Sequence, residues 1–88
     1  MNMLQEAKDI VNSSRRDDYG DLADSFNRIA GLWSAYLGVE VDSLDVGKMM
    51  ILLKVSRAKY NDHRDSYVDI AGYVECIDEI MQKRDGYI

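Results

Sequence analysis

With 88 residues, 11 basic against 16 acidic side chains and a net charge of −5, the chain has room for one core and too little positive charge for general nucleic-acid binding. The single cysteine, Cys76, excludes an intrachain disulfide, and the absence of proline leaves every helix interior uninterrupted on that account. A chain of this size buries only about 60% of its unfolded surface, so the expectation is a small helical domain completed by a partner chain, in the first instance a second copy of itself.

The start of the chain, Met1-Asn2-Met3-Leu4-Gln5-Glu6, has neither the basic residues nor the apolar core of a signal peptide. The longest strong apolar run, Met49 to Leu53, is far shorter than a bilayer requires. These features, with a lone thiol, predict a cytoplasmic protein of a bacterial host that makes no membrane contact.

The first element follows from Leu4, Ala7, Ile10 and Val11, whose spacing predicts a helix over about residues 3–13. Its apolar stripe is narrow, so it has to dock on another element, and the polar stretch 12–18 reads as a loop. The second element opens after a turn at Gly20, with Asp21 as N-cap and Asp24 placed three residues on, where a capping-box acid stands. Leu22, Phe26, Ile29, Ala30, Trp33, Tyr36 and Leu37 then keep helical spacing over 21–37, and Gly38 supplies the C-terminal stop.

The third element spans about 43–60, capped by Asp42 with Asp45 three residues later. Val46, Met49, Met50, Ile51, Leu52, Leu53 and Val55 make it apolar around most of its circumference. Such a helix is buried on more than one face, which makes it either the central helix or a subunit interface. The fourth element, about 65–83, places Tyr67, Ile70, Val74, Ile77 and Met81 on one side, and Lys83 and Arg84 suit the negative pole of its dipole. Only Val39-Glu40-Val41 alternates with the period of a strand, and it is too short. The chain therefore reads as all-α: a four-helix-bundle-like single domain over 1–88, completed by oligomerisation.

Chemistry is suggested by the other face of the fourth helix, where Asp65, Asp69, Gly72 and Cys76 follow at steps of four, three and four. Two carboxylates one turn apart suit a hard cation such as Mg²⁺, and Gly72 in a helix interior suggests close approach by another helix or a ligand. The plainer reading makes Asp65 an N-cap and Asp69 a solvated or salt-bridged acid. Lys54 interrupts the most apolar segment, where a charge needs a partner, and Asp69 or Asp65 on the neighbouring helix is the obvious one. Lys54 and Arg57 beside two carboxylates also describe a metal-plus-phosphate site. A register-setting ion pair and a functional site both remain open at this level.

The remaining candidates lack companions. His63 sits alone in a polar connection, Cys76 reads as a core or interface thiol, and Ser34 and Ser56 have no triad partners. Met3, Met49, Met50 and Met81 read as core filler, Trp33 and Tyr36 as core or interface anchors, and no glycine-rich phosphate loop is present.

The blocks Tyr19-Gly20-Asp21, Arg28 to Gly38, Asp45-Val46 with Met49 to Lys54, and Asp65 to Tyr73 resemble a small family of phage- and prophage-encoded proteins of undefined function. The resemblance runs from about residue 4 to residue 81. More distantly, the chain is similar to the MazG-like all-α nucleoside triphosphate pyrophosphohydrolases. Those are oligomeric bundles that hold Mg²⁺ with an ExxE pair on one helix and an ExxD pair on the next. That resemblance implies Asp65 and Asp69, here four residues apart, as the second pair, with Asp24 and Asp21 nearest to the first.

Three functions follow as expectations. One is a Mg²⁺-dependent enzyme acting on a nucleotide, with Asp65, Asp69 and Asp24 on the metal and Lys54 and Arg57 on phosphates; no catalytic residue is assigned. Another is a binder that holds a nucleotide without turnover. The third is a non-catalytic protein-interaction module or inhibitor of a host factor.

Overall fold

The computed structural model describes residues 2–12 and 21–85, with side chains as far as Lys83. Four helices account for nearly all of it: α1 (Met3–Val11), α2 (Leu22–Leu37), α3 (Ser43–Tyr60) and α4 (Arg64–Asp85), and no strand occurs among the described residues. Ser13 and the turn at Gly20 lie outside them.

Local chemistry sets the helix ends. Asn2 caps α1 by accepting from the Gln5 N–H at 2.8 Å. Asp21 caps α2 by accepting from the N–H groups of Ala23 and Asp24 at 2.9 and 3.2 Å. At α3 the reciprocal box forms, with the Asp45 N–H on Asp42 at 2.8 Å and the Asp42 N–H on Asp45 at 3.1 Å. Gly38 closes α2 at φ 74°, the left-handed conformation that glycine adopts without steric penalty, and its N–H returns to the Ser34 carbonyl. The Ser34 hydroxyl then holds the α2–α3 connection by donating to the Val41 carbonyl at 3.1 Å and accepting from the Val41 N–H at 2.8 Å. Asp65 lies inside the first turn of α4, not at its N-cap, because the helix already begins at Arg64. Its charge there suits the helix dipole.

Among the described residues α4 is the central element: it packs against α3, α1 and α2, while α3 touches only α4 and α2, and α1 touches only α4. Phe26, Ala30, Val46, Cys76 and Ile80 form the core, with Val11, Trp33, Met50 and Tyr73 packed around them. Two expectations change as a result. The apolar side of α4 is not its most buried side, since Tyr67 and Val74 are 41% and 53% exposed whereas Val68, Cys76 and Ile80 are buried. The stripe runs from exposed Asp65 through half-buried Asp69 and Gly72 to buried Cys76, because α4 is enclosed from several directions along its length.

The close approach falls at a different glycine. A Cβ at Gly72 would meet Val11 at an ordinary 3.7 Å, whereas one at Gly47 would stand 2.5 Å from Ile77 Cγ1 and 2.9 Å from Cδ1. Gly47 lets α3 lie against α4.

Candidate functional site: the α3–α4 ion pair and the outer face of α3

Lys54 and Asp69 come together between α3 and α4, with Nζ 3.1 Å from Oδ2. Lys54 projects from the packed side of α3, its side chain only 15% exposed, and needs an anionic partner; Asp69 supplies it at 36% exposure. Of the two partners the sequence offered, Asp69 and Asp65, the structure pairs Lys54 with Asp69. Arg57 and Asp65 are both exposed, outside this pair. Asp24 is placed elsewhere: it stands one turn from Asp21, whose Oδ2 accepts from Lys83 Nζ at 2.7 Å. Lys83 and Asp65 are separated by about 27 Å along α4, from the helical rise of ~1.5 Å per residue. Asp24 and Asp65 therefore belong to opposite ends of the molecule and cannot share an ion. Among the described residues no three His, Cys, Asp or Glu side chains gather as a metal-holding group. Asp69 is engaged by the Lys54 ammonium, and Asp65 stands one turn before it on α4.

Titration behaviour is shaped at the ends of α4. The Lys83 ammonium, and then the Asp24 N–H, hold the Asp21 carboxyl below its ordinary value, and Asp21 in turn raises Lys83. The Tyr67 hydroxyl donates to Asp62 at 2.6 Å, which pushes its pKa up. These contacts tie α4 to α2 and to the α3–α4 connection, and Arg64 ties the start of α4 to Glu6 of α1. His63 is exposed just ahead of α4 and Cys76 is buried in the core, as expected.

Two surfaces go beyond what single residues suggested. An open groove of about 470 Å³ runs between α1 and α4, lined by Leu4, Lys8, Tyr67, Ile70, Ala71, Val74 and Glu75. Its lining is mostly apolar, with Lys8 and Glu75 as one charge of each sign. The second surface is the outer side of α3. Leu52 is 65% exposed, and Val55, Leu53 and Met49 are 48%, 44% and 38% exposed. Their inward neighbours Val46, Gly47 and Ala58 are buried. The all-round apolarity of this helix signalled two buried faces, and the structure packs one and leaves the other outward. On α2, Trp33 packs beside the core, but Leu32 and Tyr36 are 66% and 89% exposed.

Taken together these features define a small helical domain with an apolar outer face and an ion pair between α3 and α4. By sequence, the chain belongs to the family described as domain of unknown function DUF6378, which matches residues 2–81. It is 45% identical over 87 residues to the Gene 55 protein of Mycobacterium phage L5, covering 97% of this chain and 56% of that protein. The Gene 55 protein of Mycobacterium phage D29 is 39% identical over 82 residues, 92% of this chain and 54% of the relative. The chain thus spans about half the length of the curated relatives it matches. No solved structure matches. The phage-type family expected from the sequence is the one found. No helix among the described residues is long and apolar enough to cross a membrane.

Proposed function

We propose that this chain is a non-catalytic interaction module, a phage-type helical domain that works by offering the outer face of α3 to an apolar protein surface. The observation that carries the reading is that Met49, Leu52, Leu53 and Val55 remain outward on a helix whose opposite face is already packed. Contiguous exposed apolar side chains rimmed by charge are the usual mark of a protein contact. Lys48 and Lys59 are the exposed charges on this helix that a partner's carboxylates would meet.

The competing reading is the Mg²⁺–nucleotide site, with Asp65 and Asp69 on the metal and Lys54 and Arg57 on phosphates, in the manner of the MazG-like enzymes. A thermal-shift series with nucleoside triphosphates, with and without Mg²⁺, separates the two, because a ligand that binds the native state raises its melting temperature. The interaction reading expects no shift. A Mg²⁺-dependent rise that Asp69→Asn removes would replace it with the nucleotide reading.

A further inference from the structure

We infer that the partner of this face is a second copy of the chain, packed antiparallel along α3 about a twofold axis level with Leu52. The inference rests on reading that face as a contact surface and adds its occupant and register. Asp45, Leu52 and Lys59 are spaced by seven, so they lie on one line of the helix, on the side turned away from Val46, Gly47 and Ala58. Met49 and Ser56 flank that line on one side, Lys48 and Val55 on the other.

An antiparallel pair related by such an axis sets each residue level with the one equally far from Leu52 in the opposite direction. Leu52 then meets Leu52 of the second copy, and Asp45 comes level with Lys59. The axis keeps each flank on its own side, so Met49 faces Ser56 and Lys48 faces Val55. The apolar side chains fall together at the centre, and an acid falls beside a base at both ends. An isologous interface requires this self-complementarity of a surface. A parallel pair would set Asp45 on Asp45 and Lys59 on Lys59, which like-charge repulsion disfavours. Asp45 remains able to pair across the axis, since its capping bond to the Asp42 N–H uses Oδ2 alone.

Area sets the strength. The exposed parts of Met49, Leu52, Leu53 and Val55 come to roughly 350 Å² per copy, within the range for the largest apolar patch of a monomer. Over two copies that is about 700 Å², small for a specific interface, so a weak dimer that fills toward millimolar concentration is expected.

Sedimentation equilibrium of the full chain across micromolar to millimolar concentration provides the test. A monomer–dimer equilibrium is expected. Leu52→Lys should weaken it at least tenfold while leaving the far-UV circular dichroism unchanged. Lys59→Glu, which sets two acids level, should weaken it several-fold, and this effect should shrink at high salt. Register is read by cross-linking: Leu52→Cys should oxidise to a covalent dimer by itself, whereas Lys48→Cys should cross-link faster with Val55→Cys than with itself. The native Cys76 is buried and does not compete. A chain that stays monomeric at millimolar concentration, or a dimer indifferent to both Leu52→Lys and Lys59→Glu, would overturn the proposal. A monomer that ignores nucleotides removes the dimer but leaves a foreign protein partner, whereas a nucleotide response removes the interaction reading at any oligomeric state.

Discussion

The third and fourth helices are the two longest in the molecule, 18 and 22 residues, and both carry apolar side chains on more than one side. Their fates differ. α4 lies against all three other helices, so even its side bearing Asp69, Gly72 and Cys76 is drawn into contact. Among the described residues α3 packs against α4 and α2 alone, and Leu52 at 65% and Val55 at 48% exposure face away from them. Apolar residues around a helix thus report a demand for burial without saying whether the chain's own fold meets it. On α4 the fold meets that demand, and on α3 half of it is left for another surface.

Substitutions on the two faces of α3 sharpen this contrast most. Val46 is 1% exposed, so Val46→Asp puts an unpaired carboxylate into the core and should cost on the order of 4 kcal/mol or more, enough to unfold a domain of this size. Leu52→Asp, on the opposite face, should leave the helical circular dichroism of a dilute sample unchanged. Equal loss of structure in both would mean that the outer face belongs to the fold.

Next in size is the α3–α4 contact at Gly47. Its Cβ would meet the β-branched Ile77, so Gly47→Ala should destabilise by about 1–3 kcal/mol in urea unfolding. Gly31, with nothing within 4 Å of its Cβ position on α2, should respond in the opposite sense, gaining roughly 0.5–1 kcal/mol as alanine. A stabilising Gly47→Ala would show that α3 and α4 are less closely packed than described.

The ion pair between the same helices comes third. Asp69→Ala strands the Lys54 ammonium at 15% exposure, and after allowance for the partly solvated Asp69 a loss of about 1–2 kcal/mol is expected. Lys54→Met in that background should recover part of it, since the unpaired charge is gone. No recovery would mean that Asp69 is held by something other than Lys54.

The smallest effect belongs to the Asp21–Lys83 contact, which lies in solvent at the surface. Asp21 titrates below its ordinary value in the folded chain, so its contribution is present above the unfolded carboxylate range and disappears as pH falls through the depressed value. Lys83 titrates above its ordinary value, so its contribution is present below the unfolded lysine range and disappears as pH rises through the raised value. Lys83→Met should flatten both limbs of the stability–pH curve slightly, with less effect at high salt.

The helix ends were readable because they depend on neighbours in sequence. Asp42 with Asp45, Asp21 and Gly38 act within a single turn of their own helices, so residue type and spacing suffice. Lys54 was readable for a related reason: a charge inside an apolar helix calls for a partner, and the adjacent helix carried one. Asp24 was not placed by sequence because a cap-side acid and a metal ligand look alike there, and only the contact of Lys83 with Asp21 sets it at the far end of α4 from Asp65.

By itself, then, the sequence determined an all-helical chain, most helix boundaries and a helix with more apolar surface than one neighbour could cover. Only the tertiary structure decided which helix is enclosed, that Gly47 and not Gly72 is the point of close approach, and that the surplus on α3 faces outward. Helix formation is governed by contacts within about four residues, whereas which faces meet depends on how all four helices share one core. That second choice is settled by packing between residues far apart in the chain, as between Gly47 and Ile77, and leaves no local signature to read.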